Sequence, residues 1–168
     1  MKVLVISAAY PPMHAGEATN TYHLCRQLTE RGIDIHVLTS VGNVGTDDPR
    51  IRVYPIMQTW GWLELLRVRS FFKNCSPDAV FLMYIGLMYK FHPMVTFLPT
   101  LSKGLFPNVP FVTRYESAFV GADPSKTGIV SRLFRKLMVQ WAGGKDVAYS
   151  SGTLLRDSDA VIALCERH

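Results

Sequence analysis

Residues Lys2 to Ser40 constrain the fold more than any other stretch of the chain. Val3, Leu4, Val5 and Ile6 form an unbroken apolar run, the pattern of a central parallel strand buried on both faces. Pro11 and Pro12 stop that strand and stiffen the turn that follows it, Ser7 to Glu17. Beyond Ala15-Gly16 a helical pattern begins. Ala18, Tyr22, Cys25 and Leu28 share one helix face, and Gly32 supplies the C-terminal cap. Ile33, Ile35, Val37 and Leu38 then predict a second strand. Such a strand–helix–strand unit aims a helix N-terminus, with unpaired N–H groups and partial positive charge, out of the carboxyl edge of a sheet, where phosphate groups bind.

The rest of the sequence repeats the alternation. Gly42 to Arg50 is a polar loop, and Ile51-Arg52-Val53-Tyr54-Pro55-Ile56 is a strand placed near an edge by Pro55. Trp60 to Lys73 reads as a helix with Leu63, Leu66, Val68, Phe71 and Phe72 on one side and Arg67, Arg69 and Lys73 on another. Ala79 to Leu101 is largely apolar but is interrupted by Lys90, His92, Pro93 and Pro99. It is therefore read as a buried strand, Ala79 to Tyr84, followed by a loop and a helix, rather than as a membrane span. Phe111-Val112-Thr113 begins a further strand leading to Arg114-Tyr115-Glu116. Gly121 to Thr127 is a loop, Ile129 to Trp141 a basic amphipathic helix, Ala148 to Arg156 another helix, and Asp159 to Leu164 a last strand. About six strands alternating with helices predict an α/β fold with a Rossmann-like, doubly wound parallel sheet.

At 168 residues the chain is expected to form one domain, 1–168. Charged residues make up only 18% and hydrophobic ones 48%, against about 25% charged in ordinary soluble domains, so either the core is large or some apolar surface is meant to be covered by another body. Lys and Arg number 18 against 13 acids, which favours anionic partners. No recognition motif supports nucleic-acid binding. The three cysteines, Cys25, Cys75 and Cys165, have neither metal-ligand nor disulfide-framework spacing and read as thiols of a reducing compartment. Met1-Lys2 leads straight into the first strand, so no leader is expected and the location is read as cytoplasmic.

The order of these pieces resembles the N-terminal domain of retaining GT-B fold glycosyltransferases, the superfamily that includes glycogen synthases, sucrose synthases and mannosyltransferases. The opening Val3-Leu4-Val5-Ile6-Ser7, with Tyr10-Pro11-Pro12 and Ala15-Gly16, is similar to that group's strand, Pro-Pro turn and Gly-Gly loop. Leu24 to Thr39, passing through Arg31-Gly32-Ile33-Asp34-Ile35-His36-Val37, is similar to the helix and strand that follow. Asp159-Ala160-Val161-Ile162-Ala163-Leu164-Cys165-Glu166 is similar to the segment just before that family's crossing to its second domain.

The resemblance implies that this is the acceptor-side half of a GT-B fold, with a nucleotide-sugar-binding C-terminal domain lying outside the chain. It implies transfer of a hexosyl unit, with retention, from a UDP-, GDP- or ADP-sugar to a saccharide or lipid-linked acceptor. It implies no cofactor and no metal. Ala15, Gly16 and Glu17 would face the donor diphosphate, and His14, Asn20, Tyr84, Arg114 and Tyr115 would line the acceptor cleft. The family's first loop Gly is Ala15 here. Many relatives end the fifth strand with a His, where Glu116 stands in this chain. Glu116 is therefore a candidate catalytic carboxylate, able to stabilise an oxocarbenium-like centre, or a structural partner of Arg114. Alone, the chain is expected to be inactive. The two basic amphipathic helices leave open peripheral attachment to an anionic membrane surface on the cytoplasmic side. The rival reading is a non-catalytic Rossmann-like module that binds a phosphorylated ligand or partner. A nicotinamide-dependent enzyme is disfavoured because Gly-x-Gly-x-x-Gly is missing after the first strand.

Overall fold

Parallel strands buried on both faces need apolar side chains in both directions, and the first strand meets that demand. The computed structural model describes residues 1–44, 48–116 and 153–163, with Gly128, Ile129, Arg132, Leu133, Lys136, Leu137 and Gln140 between them. Strand β1 (Lys2–Ile6) leads to helix α1 (Gly16–Glu30), then β2 (Asp34–Ser40) and β3 (Ile51–Met57). A short 3-10 turn, Trp62–Glu64, opens helix α2 (Leu65–Cys75), followed by β4 (Ala79–Tyr84). A second 3-10 turn, Pro93–Phe97, opens α3 (Leu98–Leu105), which precedes β5 (Phe111–Tyr115), α4 (Leu154–Asp157) and β6 (Ala160–Ala163). The six strands make one parallel sheet in the order β3-β2-β1-β4-β5-β6. This is the Rossmann-like α/β sheet expected from the alternation of elements.

The two faces of β1 go to different layers. Leu4 and Ile6, with Leu38, Val80, Leu82 and Phe111, pack under α2, α3 and α4 through Val68, Phe72, Leu98 and Leu154. Val3 and Val5, with Ile35 and Val37, pack against Cys25 of α1 on the other side. Each large side chain so buried contributes about 1.5–3 kcal/mol. Pro55 sits in β3, which is an edge strand, where a missing N–H is tolerated.

Helix α1 stops where the sequence said it would. Gly32 adopts φ 80°, its N–H donates to Thr29 O, and the Ile33 N–H reaches back to Leu28 O. That pair of bonds is a Schellman cap, which requires a left-handed residue.

Helix α2 departs from the expectation. Leu63 and Leu66 are 93% and 72% exposed, while Val68, Phe72 and Cys75 are buried. The α-helix begins only at Leu65. Its core-facing residues Leu65, Val68, Phe72 and Cys75 keep the 3.6 period, with Leu65 packed on the core from its margin. Leu63 lies in the 3-10 turn, whose tighter winding takes it off that face.

The helix expected over Ala148 to Arg156 is described only as α4, since residues 148–152 lie outside the described residues, as do Leu164 to His168 and the loop 121–127. Of the helix expected over Ile129 to Trp141, the described residues are helical and exposed. No helix among the described residues is long and apolar enough to cross a membrane.

Candidate functional site

In the order β3-β2-β1-β4-β5-β6 the chain runs outward in one direction from β1 and in the other from β4. The sheet therefore has its topological switch point between β1 and β4, and open α/β sheets bind ligands outside the carboxyl ends of the strands at such a point. The β1–α1 turn stands at that edge.

The turn has a buried root and an exposed tip. Tyr10 is fully buried, edge-on to Tyr22 with ring centroids 6.3 Å apart, whereas Pro12, Met13, His14 and Gly16 are exposed. Two backbone bonds shape the tip: Met13 N–H to Tyr10 O and Ala15 N–H to Met13 O, each 3.1 Å. Ala15 is the N-cap of α1 in extended conformation, and no side chain caps the helix. Its first-turn N–H groups therefore lack the acceptor that a Ser, Thr, Asp or Asn would provide. Asn20 is exposed and stands one helical turn beyond Gly16, on the same face. Thus His14, Ala15, Gly16, Glu17 and Asn20 form one continuous surface. Glu17 brings an acidic side chain into the first turn, where it favours the helix dipole and opposes a bound anion, so its contribution to an anion site is its backbone N–H.

Gly16 is not demanded by the fold. Unlike Gly32 and Gly42 it does not have a left-handed φ, and a Cβ built on it meets no atom within 4 Å among the described residues. Glycine here leaves a helix N-terminus bare of side chain.

The second candidate group lies on β4 and β5, one and two strands from β1, about 5 and 10 Å across the sheet. Tyr84 and Tyr115 are register partners on β4 and β5, and their rings stack at 5.5 Å and 18°. Tyr84 also stacks on Tyr89 at 5.9 Å and is only 4% exposed, so it lies in the core. Burial pushes its hydroxyl pKa up to about 12, with a smaller push from Tyr115; it stays protonated at neutral pH. Tyr115 is half-buried. Arg114 of β5 and Glu116, one residue past its end, form an ion pair, with side chains 22% and 20% exposed. The Glu116 backbone N–H donates to Tyr84 O at 3.0 Å. Its carboxylate is thus held by the guanidinium two residues away. Among the described residues no cluster of three or more His, Cys, Asp or Glu is placed to hold a metal ion.

Four residues that sequence reasoning passed over stand behind the turn: Ser40, Asn43, Trp60 and Tyr89. Asn43, Trp60 and Tyr89 are buried. They come from the loops after β2, β3 and β4, and no local pattern flags them, because their partners lie far away in sequence.

Fold and site together define an α/β protein with an exposed, uncapped helix N-terminus at a sheet switch point. Residues 13–108, more than half of the chain, match the family model described as glycosyl transferase 4-like. The chain belongs to the glycosyl transferase 4-like family. A crystal structure of dTDP-glucose 4,6-dehydratase from Bacillus anthracis str. Ames, in complex with NAD, is similar in fold, with a TM-score of 0.50 at 14% identity over 97% of this chain. The chain spans about half of that protein, 54%. No curated protein sequence matches it significantly.

Proposed function

We propose that the chain is the acceptor-side domain of a retaining GT-B glycosyltransferase. The whole protein would move a hexosyl unit from a UDP-, GDP- or ADP-sugar to a saccharide or lipid-linked hydroxyl. The donor's base and most of its sugar would be held by a second, C-terminal domain. The β1–α1 turn would present the N–H groups of Gly16 and Glu17 to the donor diphosphate, stabilising the negative charge that develops as the glycosidic bond breaks. His14, Asn20, Arg114 and Tyr115 would border the acceptor. Tyr84 would support Tyr115 from below rather than touch sugar. The pairing of Glu116 with Arg114 supports a role in shaping the acceptor wall over direct catalysis.

The observation that carries this reading is Gly16: exposed, at an uncapped helix N-terminus, at the switch point, and required by neither backbone conformation nor packing. The family match supports sugar donor and acceptor substrates as a class. The experiment is to express the full open reading frame and assay transfer from a panel of nucleotide sugars, with Gly16→Val as the comparison. Turnover of one donor that falls with Gly16→Val supports the reading. A full product that neither binds nor turns over any donor returns the module that binds a phosphorylated ligand. Transfer by the chain alone, residues 1–168, contradicts the two-domain reading.

Ile129, Leu133 and Leu137 are exposed at helical spacing with Arg132 and Lys136 among them, which supports an anionic membrane surface as a further partner. Co-sedimentation with phosphatidylglycerol vesicles, weakened by Leu133→Glu, tests that surface.

A further inference from the structure

We infer that Ser40, Asn43 and Tyr89 are positioning residues that clamp the backbone of Ala8 and thereby set the geometry of the β1–α1 turn. The inference rests on the reading of that turn as the donor diphosphate site for its functional meaning, but its physical content stands separately.

Ala8 lies just past the end of β1. The last ladder bond to β2 is Ser7 N–H to Leu38 O, 3.0 Å, so Ala8, only 4% exposed, must find other partners for its buried N–H and C=O. Side chains from the end of β2 and from the loops after β2 and β4 provide them. The Ala8 carbonyl accepts from Ser40 Oγ at 2.9 Å and from Asn43 Nδ2 at 3.0 Å. The Ala8 N–H donates to the Tyr89 hydroxyl at 3.2 Å.

Each clamp residue is itself held. The Tyr89 hydroxyl donates to Met83 O at 2.9 Å, Asn43 Nδ2 also donates to Thr39 Oγ1 at 3.1 Å, and Ser40 Oγ accepts from Trp60 Nε1 at 2.8 Å. Trp60 packs edge-on against Tyr89 at 5.0 Å and 87°. Its loop is pinned by the Glu64 carboxylate, which accepts from the backbone N–H groups of Gln58 and Thr59 at 3.0 and 2.6 Å. Trp60 itself adopts φ 54°, a left-handed conformation that a bulky residue keeps only when its surroundings over-determine it.

The end of β2 and the loops after β2 and β4 thus converge on one alanine, and the loop after β3 backs them through Trp60. The hydroxyl of Tyr89 and the hydroxyl of Ser40 each donate once and accept once, so the network is closed and rigid. A turn rooted this way leaves the sheet in one direction, which pre-orients the Gly16 N–H and spares a ligand the ordering cost.

The test is residue-resolved amide exchange by NMR on the chain, comparing wild type with Tyr89→Phe and Asn43→Leu, and titration of each with inorganic diphosphate. Tyr89→Phe keeps the ring and its stacking while removing the hydroxyl; Asn43→Leu keeps the volume. The expected result is exchange at least tenfold faster at Met13 and Ala15, whose N–H groups are bonded within the turn, with Val3 to Ile6 unchanged. The diphosphate-induced shift of the Gly16 amide should need at least fivefold more ligand in both variants. Acceleration confined to Ala8, or spread equally through β1, overturns the clamp: the first means that the bonds only satisfy a buried group, the second that the variants merely loosen the domain. If the turn loosens as expected but the wild-type Gly16 amide never responds to diphosphate, the clamp stands and the diphosphate reading of the turn falls.

Discussion

Substituting Gly16 separates what the fold needs from what a ligand needs. Its backbone is not left-handed, and an added Cβ meets nothing within 4 Å. Alanine should therefore fit without strain and reduce the freedom of the unfolded chain, a gain of about 0.4–1 kcal/mol. At the first position of a helix the propensity difference adds little. For a domain of this size that gain raises Tm by roughly 1–4 °C. Gly32→Ala serves as the opposite control: φ 80° makes a Cβ cost about 1–2 kcal/mol. The assay is thermal unfolding of the chain by circular dichroism, followed by donor turnover in the full-length protein. A phosphate oxygen accepting from the Gly16 N–H would sit about 2.9 Å from that nitrogen, and the methyls of Gly16→Val project over its approach. We expect kcat/KM to fall at least tenfold, about 1.4 kcal/mol of lost transition-state binding, without loss of stability beyond a few tenths from β-branching. Destabilisation by Gly16→Ala, or full turnover by Gly16→Val, would refute the argument that this glycine serves a ligand.

Three further predictions concern the frame. Glu64→Ala removes the acceptor of two backbone N–H groups and of the Thr59 hydroxyl; it should cost about 2–4 kcal/mol, read as a lower urea midpoint at unchanged m. The Arg50 guanidinium, bonded to Asp48, holds that carboxyl at about 2 rather than 3.8, so an NMR titration should place its midpoint there and Arg50→Gln should return it toward the ordinary value. Because the folded-state value is the lower one, the pairing stabilises fully above about pH 4 and is lost as pH falls through 2. Burial pushes the Cys25 thiol up to about 12, so iodoacetamide at pH 8 should alkylate it only in urea; modification of the native chain at the rate of a free thiol would contradict its burial.

Much of the frame was legible before any coordinates. The run Val3 to Ile6 announced a doubly covered strand, Gly32 the end of α1, and Pro55 an edge, because each is a local steric or solvation effect that one residue type carries. Part of the site was legible for the same reason: Ala15-Gly16 opens a helix right after a strand, and that placement alone puts it on the carboxyl edge. The amphipathic face of α2 was misread where helix periodicity was extended through Leu63, which winds as a 3-10 turn. Local spacing cannot say where one winding gives way to the other, since packing of Trp62 against His92 and Phe97 comes from a distant loop.

The sequence by itself determined the order of strands and helices, the βαβ unit with its bare helix N-terminus, and the excess of apolar and basic residues. These follow from hydrophobic periodicity and from the backbone chemistry of glycine and proline, which act over a few residues. Tertiary structure alone decided that Tyr84 sinks into the core and that Ser40, Asn43 and Tyr89 meet on the backbone of Ala8. Those outcomes depend on strand order and on which loops share an edge. A hydrogen bond between residues 81 positions apart exists only after the sheet has brought β1 and β4 side by side.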